Sequence, residues 1–303
     1  MIPQRPVVVI VNPLAARGGA AVLAAAMRER LAALAPAARL ELPQGVAAAR
    51  ALAAAQPPGT RIVVVGGDGT LQALLPVLAQ RDCEVGLVAL GSGNDTARAV
   101  GLRGLAWPRA LQHALDAPAL PIDLGECVAD GRRELFASSL TAGFDSAVGM
   151  RALRAPRWLR GLPRYLWATL AELAALRRWP VAIEADGERV VAGEVLFASV
   201  LNTPTYGGGM PVAPDARIAD DRLDLIVAAG FGRLGAAAML PRLLAGRHLP
   251  HPRIATRSFA LLAATSSVEV PLAADGEPIV AARAWRVRVL PAALRVAGRG
   301  GAG

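Results

Sequence analysis

The sequence predicts an α/β part followed by a β part: an N-terminal doubly wound parallel sheet and a C-terminal antiparallel β-sandwich. Strand, loop and helix patterns alternate up to Pro121, as in a parallel sheet covered by helices. Beyond Pro121 the strand-like segments are short and separated by turn residues, which is typical of a sandwich. We predict domains over 1–122 and 123–290, and leave open that the tail of about 290–303 returns to the first.

Composition places the chain among globular proteins of the cytoplasm. Its 303 residues are 54% hydrophobic, but much of this is alanine, so the mean hydropathy of +0.40 overstates any membrane character. The uncharged run 195–214 is interrupted by Asn202, Pro204, three consecutive glycines and Pro211, which a transmembrane helix would not accommodate. The N-terminus lacks a secretory layout, and two cysteines, Cys83 and Cys127, make a disulfide framework improbable.

The net charge is +9, and every basic residue other than histidine is arginine. Such a balance is typical of proteins that contact nucleic acid or an anionic membrane, but it also results from a GC-biased genome. The arginines are scattered and form no stripe interleaved with aromatic residues. We therefore expect no nucleic-acid partner.

The first part follows a strand–helix alternation. Its predicted elements are a strand over Pro6–Val11, a helix over Ala20–Leu34, a strand over Arg39–Leu42, a helix over Val46–Ala55, a strand over Ile62–Val65, a helix from Leu71, a strand over Glu84–Leu90 and a helix from about Thr96.

The second part is predicted from short β-rich segments and one helix. Its predicted strands are Arg133–Ser139, Val181–Ala185, Glu194–Leu201, Leu223–Ala228, Ser267–Leu272 and Trp285–Val289, with a single helix over roughly Arg164–Arg178.

The segment from Ile62 to Thr70 organises the first part. Four branched apolar residues predict a buried strand, and Gly-Gly-Asp-Gly-Thr follows at Gly66–Thr70. Glycines let the backbone approach a ligand, and free N–H groups ahead of a helix bind anions. Because Asp68 would repel a phosphate directly, the loop indicates a metal-bound nucleotide. The loops beginning at Asn12 and Gly91 also follow strands, so all three are expected at one edge of the sheet.

These motifs resemble the diacylglycerol-kinase catalytic domain of bacterial lipid kinases, a family that includes sphingosine and ceramide kinases. Gly66–Thr70 and Gly-Ser-Gly-Asn-Asp at Gly91–Asp95 carry the resemblance most strongly. Further motifs appear in the family's order along most of the chain: Asn12-Pro13, Pro121–Gly125, Ala142–Asp145, Gly207–Gly209, Pro214–Leu223 and Asp275–Glu277. NAD kinases share only the first of these motifs and a related fold, in which the active site lies in a cleft between the two domains.

The resemblance implies ATP and Mg²⁺ as cofactors and assigns residues to them. The implied nucleotide-binding residues are Asn12, Pro13, Gly66, Gly67, Asp68, Gly69, Thr70, Leu71, Gly91, Ser92, Gly93 and Asn94, with Ser92 where the family usually has threonine. Asp68 would also help to hold Mg²⁺, since hard oxygen ligands suit that ion. A solvated turn aspartate is the alternative for Asp68.

Three further carboxylates have implied catalytic roles. Asp95 would serve the site as well as capping a helix, and Asp123 would lie near the transferred phosphate, unless it is a junction aspartate paired with an arginine. Glu277 matches the family's general base, which must reach the lipid hydroxyl. The same Asp-Gly-Glu tripeptide occurs at 186–188, but its position in the chain order favours Glu277 over Glu188.

The segment 215–223 resembles a structural Mg²⁺ site of the bacterial members. The side chain of Asp220 and the carbonyl groups of Arg217 and Arg222 match the family's ligands. Asp221 stands where the family usually has glycine, and a metal-free turn is the alternative.

The resemblance implies an ATP- and Mg²⁺-dependent kinase of diacylglycerol or a related lipid. The substrate of such an enzyme lies at a membrane surface. The segment Arg151–Trp167 suits a peripheral contact with anionic headgroups, because it combines arginines with Trp158, Leu159, Leu162, Tyr165 and Trp167. Packing against the sandwich is the alternative. A homodimer is compatible with the family. The rival functions are an NAD-kinase-like enzyme and a catalytically silent regulator that binds nucleotide or lipid.

Overall fold

The computed structural model describes residues 5–156, 159 and 162–299. The chain divides into two compact units. The first contains Met1–Asp123 and Ala292–Gly303, and the second contains Leu124–Pro291.

The first unit is a parallel sheet with helices between its strands. In chain order its elements are β1 (Val7–Val11), α1 (Gly19–Leu34), β2 (Arg39–Glu41), α2 (Val46–Ala54), β3 (Thr60–Gly66), α3 (Asp68–Leu78), β4 (Cys83–Ala89), α4 (Asp95–Ala99) and α5 (Trp107–Asp116).

The strand order of this sheet is β2-β1-β3-β4, and every neighbouring pair is parallel. All seven residues of β3 are buried, as its run of branched side chains predicts for a strand covered on both faces. Arg295 and Val296 add the last pairing, parallel to β4, so the end of the chain forms part of this sheet.

The second unit is built mainly from antiparallel strands. The elements that begin or lie in it are β5 (Ala119–Ala129, which starts in the first unit), β6 (Arg132–Phe136), β7 (Ser139–Gly143), α6 (Phe144–Leu153), α7 (Leu162–Ala174), β8 (Trp179–Ala185), β9 (Glu188–Leu201), β10 (Leu223–Ala229), α8 (Arg233–Leu244), β11 (Ile254–Phe259), β12 (Leu261–Ala274) and β13 (Glu277–Ala297, which ends in the first unit).

Two long strands generate the two layers of this unit. Both β9 and β12 pair with β8 along their first halves and with β7 along their second halves. The strands β10 and β11 extend the sheet beyond β9, and the core between the layers contains Phe136, Phe259 and Trp285. Strands that pass from one layer to the other in this way are typical of sandwiches.

Two predictions for the second part need correction. The segment Arg133–Ser139 is not one strand, because β6 ends at Phe136 and β7 starts at Ser139. The prediction of a single helix was also wrong. The structure has α6 and α8 in addition to α7. Helix α6 follows Gly143, whose φ of +89° turns the chain directly out of β7, and α8 contains Pro241, which lowered its helical signal.

Candidate functional site

The predicted nucleotide loops lie at the carboxyl edge of the parallel sheet. Asn12 follows β1, while Gly66–Thr70 and Gly91–Asp95 follow β3 and β4. The strand order reverses between β1 and β3, which is where doubly wound sheets bind ligands. A hydrogen bond spans this point: the Nδ2 of Asn12 donates to the Oγ1 of Thr70 at 2.8 Å.

The two glycine loops pack directly against each other. A Cβ on Gly91 would lie 2.6 Å from the Cα of Gly67, and one on Gly67 would lie 2.9 Å from the Cα of Gly91. Asn94 closes the second loop, because its side chain accepts from the N–H of Gly91 at 2.9 Å and donates to the carbonyl of Gly91 at 2.8 Å. The glycines therefore serve close backbone packing as well as access to a ligand.

Asp68 joins these two loops. Its carboxylate accepts the N–H groups of Asp95 at 3.2 Å and Thr96 at 3.3 Å. Burial raises the pKa of Asp68, and the neighbouring Asp95 raises it further, while the N–H donors oppose both effects. A cation beside the two carboxylates would relieve this cost.

The donor set at Asp68 fits a hard cation. Asp95 is buried beside it, with its Oδ1 3.8 Å from the Nε of Arg98. Two carboxylates supply only part of an octahedral shell, and the described residues contain no group of three His, Cys, Asp or Glu side chains that could hold a metal. The arrangement suits Mg²⁺ that completes its shell with phosphate oxygens and water.

The remaining predicted nucleotide residues differ in exposure. Pro13, Gly69 and Gly93 are partly exposed, and Ser92 is exposed. Leu71 is buried in the first turn of α3, and its N–H donates to the carbonyl of Gly67 at 3.2 Å. Leu71 therefore holds the Gly66–Thr70 loop through its backbone, with its side chain buried.

Asp123 lies at the end of the first unit and is buried. Its Oδ1 accepts the N–H of Ala292 at 2.8 Å, at the point where the chain re-enters this unit. Ala292 has a φ of +49°, so this hydrogen bond holds a residue in a conformation that alanine rarely adopts. The sequence could not indicate this partner, which is 169 positions away.

Glu277 is an exposed residue of the second unit, directly after the turn Asp275-Gly276. It pairs with Ala274 at the start of β13. The other glutamate with this tripeptide, Glu188, forms an ion pair with Arg257 at 2.6 Å. Among the described residues the Glu277 side chain has no hydrogen-bond or ion-pair partner, which leaves it available to a substrate.

The predicted structural metal segment brings several aspartates together. Asp220 accepts the N–H of Arg222 at 3.2 Å, and burial together with Asp220 and Asp215 raises the pKa of Asp224 to about 6. Asp221 has a φ of +60°, which explains why glycine suits this position and why aspartate is tolerated there. The guanidinium of Arg222 binds Asp186 at 3.0 Å. Because a guanidinium has no acceptor atom, only the carbonyl of Arg222 could bind a metal.

Asp145 is a further, partly buried carboxyl whose contacts were not anticipated. It accepts from the hydroxyls of Tyr206 at 2.6 Å and Ser199 at 3.0 Å. Burial raises the pKa of Asp145, and the two hydroxyls partly offset the effect. The Gly-Phe-Asp motif was noticed in the sequence, but its partners come from segments more than 50 positions away.

Comparison with known proteins gives matches over most of the chain. The diacylglycerol kinase catalytic domain model matches residues 6–127, and the YegS C-terminal NAD kinase beta sandwich-like domain model matches residues 138–298. A diacylglycerol kinase of Mycobacterium tuberculosis (strain CDC 1551 / Oshkosh) is 36% identical over 253 residues, which are 81% of this chain and 79% of that protein.

Solved structures share the fold. The crystal structure of a diacylglycerol kinase from Bacillus anthracis str. Sterne superposes with a TM-score of 0.72 at 18% identity, covering 99% of both chains. Yeast NADH kinase complexed with NADH superposes with a TM-score of 0.53 at 13% identity, covering 97% of this chain and 83% of that one. The predicted fold class, an α/β part and a β-sandwich related to NAD kinases, is confirmed.

Proposed function

Because the chain belongs to the diacylglycerol kinase catalytic domain family and is a lipid kinase, we propose that it transfers the γ-phosphoryl group of ATP to a hydroxyl of diacylglycerol or a related lipid, with Mg²⁺. The observation that supports this most is the pair of interlocked glycine loops joined by Asp68 at the reversal of strand order. Free N–H groups and a carboxylate there suit a metal-bound triphosphate.

In the donor half, Asn12 and Thr70 hold the ends of β1 and β3 in register, and the glycine loops supply N–H donors for phosphate oxygens. Asp68 and Asp95 are the proposed protein ligands of Mg²⁺, which supplies charge neutralisation when bound. Because the loops are already locked together, little reorganisation accompanies nucleotide binding. Asp123 holds the last stretch of β13 in place through Ala292, three residues before Arg295 pairs with Glu84.

In the acceptor half, we assign the general base to Glu277. The lipid hydroxyl oxygen forms a bond to the γ-phosphorus, the bond from that phosphorus to the β–γ bridging oxygen breaks, and ADP leaves with the electron pair. The carboxylate of Glu277 takes the hydroxyl proton. Its lack of a side-chain partner among the described residues supports this role over Glu188, which is also exposed but pairs with Arg257.

We also propose a second cation at the segment 215–222. The side chain of Asp220 and the carbonyl groups of Arg217 and Arg222 are its proposed ligands. Burial is the largest cause of the raised pKa of the nearby Asp224 carboxyl, and Asp220 and Asp215 add negative charge that a cation would offset. This site would stabilise the second unit without taking part in the reaction.

The proposed membrane contact is the outer face of α7. Leu166, Trp167 and Leu170 project from this helix, and Leu170 is 65% exposed, whereas Ala168 is fully buried on the opposite face. Exposed Arg177 and Arg178 follow the helix, so the apolar face is flanked by positive charge that complements anionic headgroups. Trp158 lies outside the described residues, as do the side chains of Leu162 and Tyr165. None of the described helices is both long and apolar enough to span a bilayer.

The test of function is a radiolabelled-ATP assay against a panel of lipid extracts, with and without Mg²⁺. We expect label in a diacylglycerol-type lipid from the wild type, and a strong loss in Asp68→Ala and Glu277→Ala. Equal incorporation by all three proteins would remove the assigned roles. Label in NAD would support the NAD-kinase-like reading, and no label in any acceptor would support a silent regulator.

Sedimentation with vesicles tests the membrane contact. We expect the wild type to bind phosphatidylglycerol-containing vesicles more than phosphatidylcholine vesicles, and less at high salt. Leu170→Ser should weaken binding, whereas Leu244→Ser, an exposed leucine on α8, should not. Equal binding to both vesicle types would contradict the proposal.

A further inference from the structure

The second unit contains three Asp-Gly hairpins with the same backbone. The φ angles are +48° and +73° at Asp130-Gly131, +50° and +80° at Asp186-Gly187, and +47° and +85° at Asp275-Gly276. Two successive positive φ values define a type I′ turn, for which Asp-Gly is a preferred pair. The turns therefore differ only in what their aspartate carboxylates contact.

The carboxylate is not needed for the turn itself. Asp130 is exposed, and among the described residues its side chain has no hydrogen-bond partner. Asp275, in contrast, accepts three backbone N–H groups: Ala137 at 2.9 Å through Oδ2, and Ser138 and Ser139 at 2.8 and 2.9 Å through Oδ1. Its own N–H donates to the carbonyl of Ser139 at 2.8 Å. These contacts tie the turn to a segment 136 or more positions away.

The segment that Asp275 binds is itself fixed. Ser138 and Ser139 are buried, and β7 begins at Ser139 between β9 and β12. The N–H of Asn202 donates to the carbonyl of Ser138 at 2.8 Å, and its Nδ2 donates to the carbonyl of Ala137 at 2.9 Å. Glu277 is thus two residues from an anchor in the middle of the unit.

Asp186 provides an internal comparison. Its carboxylate also accepts two backbone N–H groups, from Ala260 at 3.0 Å and Leu261 at 2.9 Å. The glutamate that follows it, Glu188, is bound to Arg257, whereas Glu277 has no side-chain partner among the described residues. The same type of Asp-Gly turn therefore precedes Glu188, which is held in an ion pair, and Glu277, which is available for chemistry.

We infer that Asp275 is a positioning residue, whose carboxylate fixes the Asp-Gly turn so that Glu277 is presented in one geometry. This inference rests on the proposed function, in which Glu277 is the general base. A base must lie within hydrogen-bond reach of its proton, and a displacement of about 1 Å can cost on the order of 100-fold in rate. Removal of the hydrogen bonds of the Asp275 carboxylate should therefore reduce turnover while nucleotide binding is unaffected.

The substitution Asp275→Asn tests this role with little change in shape. Asparagine tolerates positive φ and its oxygen can still accept from Ser138 and Ser139, but its amide NH₂ would face the N–H of Ala137. We expect kcat to fall by about tenfold or more, with the KM for ATP unchanged, and Asp275→Ala to fall further. Asp186→Asn and Asp130→Asn are the matched controls and should keep kcat within about twofold of wild type.

Thermal unfolding and amide hydrogen exchange complete the experiment. Amide exchange in 137–139 and 273–279 should be faster in Asp275→Asn than in the wild type. Asp186→Asn should not show this increase, even if its Tm falls by a similar amount. A wild-type kcat in Asp275→Asn would overturn the inference. An equal loss of kcat in Asp186→Asn would also overturn it, because the effect would then follow stability alone.

The readouts separate this inference from the proposed function. If the wild type transfers phosphate and Glu277→Gln does not, while Asp275→Asn is fully active, only the positioning role fails. If the wild type phosphorylates no lipid, the proposed function fails and the catalytic part of the inference falls with it. Hydrogen exchange still decides in that case whether Asp275 holds the turn.

Discussion

The two ends of one strand pair, β3 and β4, have opposite electrostatic arrangements. At the amino ends, Glu84 is surrounded by arginines: Arg61 at 2.5 Å, Arg295 at 3.7 Å and Arg5. At the carboxyl ends, Asp68 faces another carboxylate, Asp95, and the N–H groups of α4. Burial would raise the pKa of both acids, but the arginines bring that of Glu84 below its usual value, while that of Asp68 stays raised.

This difference assigns the amino edge of the sheet to stability and the carboxyl edge to the proposed function. Arg61 is completely buried and also donates to the carbonyl groups of Ala114 and Leu115, at 3.1 and 2.8 Å. The amino edge is therefore neutralised by the protein itself. At the carboxyl edge Asp68 and Asp95 lie beside each other and the pKa of Asp68 stays raised, as expected where a cation and a phosphate complete the arrangement.

The largest expected effect is at the carboxyl edge. Asp68→Asn should lower kcat/KM by about 1,000-fold, because Asp68 is a proposed ligand of the metal, which would supply several kcal/mol of charge stabilisation. Stability should change by less than about 1 kcal/mol, since repulsion from Asp95 is also removed. Initial rates and thermal unfolding measure the two effects, with Asp82→Asn, an exposed aspartate, as the control. Full activity in Asp68→Asn would contradict the assignment of the carboxyl edge to the reaction.

The complementary change is at the amino edge. Arg61→Met should lower the free energy of unfolding by about 3–5 kcal/mol, because Glu84 loses its buried arginine partner. The kcat of the folded fraction should stay close to wild type. Urea unfolding measures the loss, and the double variant Arg61→Met/Glu84→Gln should recover part of it. A large fall in kcat without a loss of stability would contradict this division.

The packing of the glycine loops can be broken selectively. In Gly91→Ala, the new methyl group would lie 2.6 Å from the Cα of Gly67 and 2.7 Å from the Oδ1 of Asn94, so the loops must separate. We expect the KM for ATP to rise about tenfold, which corresponds to about 1.4 kcal/mol. Gly149→Ala on α6 has open space around it and should leave KM unchanged.

The pH dependence of stability sharpens the comparison. The pKa of Glu84 is depressed in the folded state, so its contribution is fully present above its unfolded pKa of about 4.3 and is lost as pH falls through the folded value. The wild type should therefore exceed Glu84→Gln in stability at pH 7, and the difference should shrink below about pH 4. Unfolding measured from pH 3 to 8 tests this, and a difference that grows in acid would contradict it.

The smallest expected effect is at the hydrogen bond between Asn12 and Thr70. Thr70→Val removes the hydroxyl acceptor and keeps the shape of the side chain. The lost hydrogen bond contributes about 1 kcal/mol to holding the two loops together, so the KM for ATP should rise by about fivefold or less. Thr70→Ser, which retains the hydroxyl, is the control. Isothermal titration with an ATP analogue measures the change.

The sequence was informative wherever a local pattern decides the structure. The branched run at Ile62–Val65 predicted a doubly covered strand, and the glycines of the two loops predicted their place at its carboxyl edge. The local signal failed for α6, which follows β7 directly at Gly143, and for α8, whose helical pattern includes Pro241. Contacts such as Asp275 with Ser138 join residues 137 positions apart, so no window of sequence contains them.

The return of the chain to its first unit has a consequence for synthesis. A ribosome delivers residues in order, and domains generally begin to fold as they emerge. The edge of β4 stays uncovered, and Asp123 lacks its partner Ala292, until nearly the whole chain has been made. A messenger truncated before residue 292 would therefore encode a second unit of full length and a first unit with an open, aggregation-prone edge.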